Sequence, residues 1–130
     1  MKRYLLDTHI AVWALSQPRR LSPRTMALLQ SEAVFVSALS LWEILIKQQR
    51  GRLHLGDHSL VQHVTRAGAQ WLPLTAEHVE SGLALNALHG DPFDRILVGT
   101  ARVEQMILLT RDAQILELAA PLLGPLLLQA

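Results

Sequence analysis

The amino-acid sequence predicts an α/β protein with a short, mostly parallel central sheet. Short apolar segments alternate along the chain with longer segments of helical periodicity, which is the pattern of βαβ units. One of these segments, "MILLT", is almost continuously apolar, as expected of a parallel strand that is buried on both faces. The chain has 130 residues and no internal repeat or linker, so we expect a single domain over residues 1–130.

The first half of the chain predicts two strands and four helices. The strand "RYLLDT" precedes a helix that ends before Pro18, because proline disfavours a helical residue in front of it. Ser22 and Pro23 form the N-cap and first position of the next helix. The segment "AVFVSA" is β-branched and aromatic, as in a strand, and the helices "SLWEILIKQQRG" and "GDHSLVQHVTRAG" end at Gly51 and Gly68.

The second half predicts three strands and three helices. After the short strand "QWLPL", Thr75 is the expected N-cap of a helix. A full capping box requires Glu or Gln three residues later, where His78 stands, although Glu77 supplies an acid to the first turn. Asp91 and Pro92 begin a helix that runs to about residue 105. The strand "MILLT", a helix in "RDAQILELAA" and a terminal strand in "GPLLLQA" complete the chain.

Composition excludes several classes of function. There are no cysteines, so disulfides, thiolate metal sites and cysteine nucleophiles are excluded. The net charge of +1 argues against nucleic-acid binding by bulk electrostatics. Ten of the 12 cations are arginine, whose planar group suits phosphate. They form two clusters, each of which is either a solvated helix face or a phosphate contact: Arg19, Arg20 and Arg24, and Lys47, Arg50 and Arg52.

No membrane segment is expected, because no apolar run approaches the roughly 20 residues of a membrane span. The N-terminal apolar stretch is interrupted by Asp7, Thr8 and His9, unlike the core of a signal peptide. Together with the absence of cysteine, this favours a cytoplasmic protein.

Four acidic residues follow predicted strands or stand near helix starts: Asp7, Glu43, Asp94 and Asp112. Ligands bind outside the carboxyl ends of parallel strands, so we expect the four carboxylates to converge at one edge of the sheet. Each also has a structural interpretation that the residues alone leave open. Asp7 and Asp112 suit helix N-caps, and Glu43 suits a first-turn acid favoured by the helix dipole.

Asp91 and Asp94 lie three positions apart at the start of one helix. Asp91, followed by Pro92, has the N-cap signature. Asp94 is the third helical residue, from which a carboxylate can reach back to the cap. The residues alone can therefore explain both acids structurally, although Asp94 places an acid in the first turn of a helix whose remaining residues are largely apolar.

Converging carboxylates repel one another, which raises some of their pKa values unless a cation neutralises them. Oxygen ligands of this kind select a hard divalent ion such as Mg²⁺ or Mn²⁺. One or two such ions can activate a water molecule and stabilise the leaving oxygen in phosphodiester hydrolysis.

Other chemical groups give weaker signals. The six histidines lack metal spacing, except for His54 and His58, and are interpreted as surface or packing residues: His9, His54, His58, His63, His78 and His89. The three tryptophans, Trp13, Trp42 and Trp71, are scattered as core residues are. Neither a GxSxG elbow nor a P-loop is present.

The segments "LLDTHIAVWAL", "VSALSLWEILIKQQRGRL", "HGDPFDRILVGTA" and "LLTRDAQIL" resemble, in order and approximate spacing, the PIN-domain ribonucleases, and most of all the VapC toxins of bacterial toxin–antitoxin modules. The resemblance extends from residue 4 to about residue 117. It implies a three-layer α/β/α sandwich and RNA cleavage with Mg²⁺ or Mn²⁺. It also implies a homodimer and a small antitoxin protein that wraps the toxin and holds it inactive.

Carried over by position, the resemblance assigns Asp7, Glu43, Asp94 and Asp112 to an acidic metal site. Asp7 and Asp94 are expected to be the most direct ligands, with Glu43 and Asp112 acting directly or through water. Thr8 and Thr110 match positions that commonly carry a hydroxyl, which is expected to orient water or a carboxylate. Arg95 is a further candidate for positioning water or substrate.

Two features depart from the family pattern. Gly99 stands where alanine is more usual, a change that weakens a helix by roughly 1 kcal/mol and is expected to leave the site untouched. The tail after Asp112 lacks the usual aromatic residues, which leaves the last strand and part of the dimer or antitoxin surface open.

Three alternatives to a toxin nuclease are considered. A response-regulator-like phosphoacceptor requires a second acid beside Asp7 and a lysine after a late strand, but the only lysines are Lys2 and Lys47. A PIN-fold interaction module without nuclease activity is disfavoured by the complete set of acids. A PIN nuclease that acts outside a toxin–antitoxin pair stays open. The apolar content of 50% also suggests a groove for an antitoxin helix.

Overall fold

The structure is a computed structural model that describes residues 2–51, 60–84 and 91–130. His54, His58 and His89 lie outside the described residues, as does Arg52. The start of the fourth predicted helix, residues 56–59, and the end of the fifth, residues 85–90, also lie outside them.

A five-stranded parallel sheet forms the centre of the fold, in the spatial order β3-β2-β1-β4-β5. The strands are β1 (Arg3–Leu6), β2 (Ala33–Ser37), β3 (Gln70–Leu72), β4 (Ile107–Thr110) and β5 (Leu127–Gln129). All four pairings are parallel. Leu109 of β4 pairs with Leu128 of β5, so the terminal strand predicted from "GPLLLQA" is confirmed.

Helices connect the strands at the positions that the caps and prolines indicate. In the described ranges they are α1 (Thr8–Ser16), α2 (Pro23–Ser31), α3 (Ala38–Gln49), α4 (Leu60–Arg66), α5 (Ala76–Ala84), α6 (Pro92–Glu104) and α7 (Ala113–Leu123). Short 3₁₀ turns occupy Pro18–Arg20 and Gly124–Leu126. The Ser22 side chain accepts a hydrogen bond from the Thr25 amide, as expected of an N-cap. No helix among the described residues has the length and apolar character needed to cross a bilayer.

The helices cover both faces of the sheet, which confirms the three-layer α/β/α sandwich. Successive residues of a strand point to opposite faces, and the buried residues of β1 and β4 follow this rule. Leu5 and Leu108 pack with the buried residues of α6 and α7 on one face. On the other face, Leu6 and Leu109 pack with buried residues of α1, α3 and α4.

Helices α5 and α6 contact each other closely at Gly82 and Gly99, where a Cβ atom would not fit. A Cβ atom built on Gly99 would lie 2.5 Å from the backbone nitrogen of Gly82. A Cβ atom on Gly82 would lie 2.3 Å from the Cα atom of Ile96. The expectation that Gly99 merely weakens its helix is therefore wrong, because this glycine creates the space for α5.

Two expectations about side chains are also wrong. The side chain at Trp42 is not in the core: the residue is 58% exposed and its ring packs against Phe93 of α6, with the ring centroids 5.3 Å apart. The capping box of α5 is complete although it lacks Glu or Gln. The His78 amide donates to Thr75 Oγ1 over 3.2 Å, and the Thr75 amide donates to His78 Nδ1 over 3.1 Å.

Candidate metal centre

The carboxyl ends of β1 and β4 lie side by side, and each is followed by a candidate acid. The backbone amide of Asp7, directly after β1, donates to the Leu109 carbonyl oxygen over 3.0 Å. Asp112 comes two residues after the end of β4. Pairing of these central strands therefore brings Asp7 and Asp112 to the same edge of the sheet.

Asp7 lies inside the protein, with only 2% of its surface exposed. It occupies the N-cap position of α1, but its side chain makes no capping hydrogen bond; instead, Asp7 Oδ2 accepts a hydrogen bond of 2.9 Å from Thr110 Oγ1. Burial raises the pKa of Asp7 above its ordinary value, and the hydrogen bond from Thr110 opposes that rise. The nearby carboxylate of Asp112 adds to the rise.

Thr110 connects two of the candidate acids. Its hydroxyl donates to Asp7 and accepts a hydrogen bond of 3.1 Å from the Asp112 amide. Asp112 itself caps α7, since Asp112 Oδ1 accepts from the amides of Gln114 and Ile115. The cap therefore uses one of the two carboxylate oxygens of Asp112. The Thr110 hydroxyl orients the carboxylate of Asp7.

Asp91 and Asp94 differ in their surroundings. Asp91 is the N-cap of α6, where its Oδ1 atom accepts from the Phe93 amide over 2.8 Å. Burial and repulsion by neighbouring carboxylates raise the pKa of Asp94 to about 7. The repelling carboxylates, in order of their effect, belong to Asp91, Asp7, Asp112 and Glu43. The other acids chosen from the sequence therefore add to burial in disfavouring ionisation of Asp94.

Glu43 lies in the second turn of α3, because the helix begins at Ala38 with Ser37 as its N-cap. Its interpretation as a first-turn acid is therefore wrong. Glu43 Oε2 lies 3.4 Å from Lys47 Nζ, one turn further along the helix.

The other candidate positioning residues make contacts between elements. Thr8 Oγ1 and Ser40 Oγ share a buried hydrogen bond of 2.8 Å, which joins α1 to α3. Arg95 donates a hydrogen bond of 3.0 Å to the Leu83 carbonyl oxygen, which joins α6 to α5.

The donor atoms at this edge are carboxylate and hydroxyl oxygens, the ligands that Mg²⁺ and Mn²⁺ prefer. The repulsion that raises the pKa of Asp94 is of the kind that a cation relieves. Within residues 2–51, 60–84 and 91–130, no three acidic or histidine side chains are close enough together to ligate one ion. The residues therefore fit an ion that is held by one or two carboxylates and keeps several waters, the usual mode for Mg²⁺.

Basic and aromatic residues beside the acids were not singled out as a group from the sequence. His9 Nδ1 lies 4.0 Å from Asp7 Oδ2, and the His9 ring lies 6.3 Å from that of Trp13. Arg111 stands between Thr110 and Asp112 in the chain, and its guanidinium lies over the Trp13 ring. One signal in the sequence could have found them: His9 and Arg111 each lie within two residues of a candidate acid.

Residues 4–121 match the PIN domain family, and the chain belongs to that family. The resemblance indicated by the sequence motifs is thereby confirmed. The sequence is 29% identical over 127 residues to a protein named Ribonuclease VapC22 from Mycobacterium tuberculosis (strain ATCC 25618 / H37Rv). The alignment covers 88% of this chain and 91% of that protein.

Solved structures share the fold at lower sequence identity. VapBC2 from Rickettsia felis, bound to a promoter DNA fragment, matches with a TM-score of 0.64 and 16% identity over 98% of this chain and 97% of that one. A toxin–antitoxin complex from Klebsiella pneumoniae matches with a TM-score of 0.65 and 16% identity over 96% and 95% of the two chains.

Proposed function

We propose that this PIN-domain chain is a divalent-metal-dependent endoribonuclease and the toxin of a toxin–antitoxin pair. One observation carries the nuclease proposal: burial and the charges of four other carboxylates raise the pKa of Asp94 to about 7. Folding such a cluster is unfavourable unless positive charge compensates it. Similarity to a protein named as a ribonuclease supports the same activity.

Asp7 and Asp94 are the direct ligands in this proposal, and Glu43 and Asp112 complete the centre through water. When bound, Mg²⁺ or Mn²⁺ supplies a water molecule of lowered pKa and positive charge to stabilise the cleaved phosphodiester. Thr110 keeps Asp7 in place through its 2.9 Å hydrogen bond. Lys47 lies 3.4 Å from Glu43 and partly compensates its charge.

A small antitoxin protein is the proposed partner, and the chain is proposed to act in the cytoplasm as a homodimer. The structural similarity to toxin–antitoxin complexes supports the antitoxin. An apolar cleft on the sheet face that α1 and α4 cover also supports it. The cleft is formed by residues of α1, α2, α4 and the sheet: Leu6, Ala11, Ala14, Leu15, Leu29, Val34, Val36, Val64, Ala67 and Ala69. A cleft of this composition suits the apolar face of a helix.

The nuclease proposal is tested by incubating the protein with a defined RNA pool, with and without Mn²⁺, and mapping the cut sites. We expect cleavage that requires the metal and is abolished by Asp7→Asn, while the variant keeps its circular dichroism spectrum. Undiminished cleavage by Asp7→Asn and by Asp94→Asn would refute the proposed site.

The toxin proposal is tested separately by expressing the chain alone and together with a small protein encoded by the neighbouring gene. We expect toxicity or insolubility of the chain alone and rescue by the neighbour. A chain that cleaves RNA but is harmless alone would instead be a PIN nuclease outside a toxin–antitoxin pair.

A further inference from the structure

Two arginines from distant parts of the chain meet on one tryptophan of α1. The guanidinium carbon of Arg20 lies 4.4 Å from the centroid of the Trp13 ring, and that of Arg111 lies 5.4 Å from it. Arg111 also donates a hydrogen bond of 2.6 Å to the Arg20 carbonyl oxygen. The 3₁₀ turn that carries Arg20 is thereby tied to the loop that follows β4.

Arg20 and Arg111, here called the arginine pair, lie on Trp13 and border the sheet edge where the candidate acids are found. Arg111 follows Thr110, whose hydroxyl is bonded to Asp7. On the other side, His9 lies between Trp13 and Asp7. Its ring is 6.3 Å from the Trp13 ring, and its Nδ1 atom is 4.0 Å from Asp7 Oδ2. The arginine pair and the acids are therefore continuous along the sheet edge.

The arginine pair places two positive charges at the surface of the protein. Both arginines are exposed, and neither belongs to an ion pair in the described part of the chain. Two like charges held around one ring repel each other, so the arrangement is most favourable when an anion binds between or beside them. Guanidinium groups that are stacked on an aromatic ring still present their N–H donors in a fork that matches phosphate.

We propose that the arginine pair binds a phosphate of single-stranded RNA next to the phosphodiester that is cleaved. The inference rests on the proposed function and adds the residues that position the substrate. Arg20 and Arg111 contact the backbone of the RNA, and Trp13 is a positioning residue that holds both guanidinium groups through cation–π contacts. Backbone contacts of this kind fix the register of an RNA strand and are independent of its sequence.

The test measures RNA binding apart from cleavage. The probe is a fluorescein-labelled, random-sequence single-stranded RNA of about 12 nucleotides, and its anisotropy is followed in chelator over a range of salt concentrations. We expect Arg20→Gln and Arg111→Gln each to weaken binding about tenfold. Each should also reduce the slope of log affinity against log salt by about 0.7, the value for one phosphate contact of a single strand.

Arg102→Gln is the matched control, because Arg102 is exposed in the last turn of α6, at the opposite end of this helix from Asp94. It should leave both affinity and salt slope unchanged. If Arg111→Gln does not fold, Arg111→Lys replaces it in the test. Lysine keeps the positive charge, so this variant should retain the salt slope while it loses affinity. Trp13→Leu should weaken binding with little change in slope, and Trp13→Phe should restore it because a ring is present again.

Equal losses in Arg102→Gln and Arg111→Gln would overturn the inference, because any surface cation would then serve. Unchanged binding by both Arg20→Gln and Arg111→Gln would overturn it as well. Wild-type protein that binds RNA through these arginines but cuts nothing in Mn²⁺ would refute the nuclease and leave the binding site standing. If wild-type protein cuts RNA and the arginine variants bind and cut it normally, the nuclease proposal stands and the inference about the arginine pair is overturned.

Discussion

Asp94 differs from an ordinary surface aspartate because burial and neighbouring carboxylates raise its pKa from 3.8 to about 7. Between these two values the folded state keeps a proton that the unfolded state has lost. The contribution of Asp94 to the free energy of unfolding is therefore greatest below about pH 4 and is lost as the pH rises to about 7. Above that range, the ionised carboxylate costs stability unless a cation is present.

Asp94→Asn should consequently raise the melting temperature of the protein in chelator at pH 8 and have little effect near pH 4. The physical reason is that asparagine removes the repelled charge and keeps a similar shape. Thermal unfolding followed by circular dichroism between pH 4 and pH 8 measures the effect. Glu117→Gln on the exposed face of α7 is the control, and a lower melting temperature for Asp94→Asn at pH 8 would contradict a crowded acidic site.

His78 illustrates a role that residue type did not predict. It is fully buried, and its Nδ1 atom accepts from the Thr75 amide, so its proton is on Nε2. That nitrogen lies 2.8 Å from Glu104 Oε1 and donates to it. One neutral imidazole thus completes the α5 cap and links α5 to the end of α6, whereas a search for Glu or Gln alone finds no capping box.

His78→Ala should lower the free energy of unfolding by about 2 to 3 kcal/mol, because it removes two hydrogen bonds and leaves a cavity. His78→Gln should cost less, since glutamine at this position can still complete a capping box. Urea denaturation of the two variants measures the difference. Equal stability of His78→Ala and the wild-type protein would show that neither contact stabilises the fold.

Asp7, Asp94 and Asp112 stand at the starts of helices, and Asp112 has two roles. Asp112 caps α7 through Oδ1 and contributes negative charge to the sheet edge. Asp112→Asn should keep the cap, whereas Asp112→Ala should lose it at a cost of about 1 kcal/mol. Both should reduce Mn²⁺-dependent cleavage at least tenfold if the charge supports the metal, in line with about 10- to 100-fold effects of residues around metal sites.

Cleavage assays and urea denaturation on the two Asp112 variants together separate these roles. If Asp112→Asn cleaves RNA at the wild-type rate and only Asp112→Ala loses activity in proportion to its stability, Asp112 is a cap and nothing more.

The contact between α5 and α6 depends on glycine in a way that helix propensity does not capture. Alanine is favoured over glycine in a helix by about 1 kcal/mol, but its Cβ at position 99 would lie 2.5 Å from the Gly82 backbone. Gly99→Ala should therefore destabilise the protein by about 1 to 3 kcal/mol net. Urea denaturation tests this, with Arg102→Ala on the exposed face of α6 as a control within about 0.5 kcal/mol of wild type. A Gly99→Ala protein more stable than wild type would contradict the packing account.

For the molecule as a whole, the sequence predicted those features of the fold that local sequence patterns mark. The N-caps Ser22 and Asp91 and the alternation of strands with helices predicted the element order and the parallel sheet, and the resemblance to PIN domains implied the three layers. The spatial order of the strands was not predictable, because it depends on which edge each crossover takes. The resemblance implied that Thr110 orients water or a carboxylate, but its bond to Asp7 was not predicted, and neither was the contact of Gly82 with Gly99. These partners lie far apart in the chain, and no local pattern marks them.

The account of the whole molecule depends on one claim, that the acids at the sheet edge bind a divalent metal. Calorimetric titration of the protein with Mn²⁺ tests it most directly, with Glu117→Gln on the exposed face of α7 as the control. We predict saturable Mn²⁺ binding by the wild type and by Glu117→Gln, and loss of that binding in Asp94→Asn. Binding by Asp94→Asn with wild-type affinity, or the absence of binding by the wild-type protein, would contradict the account.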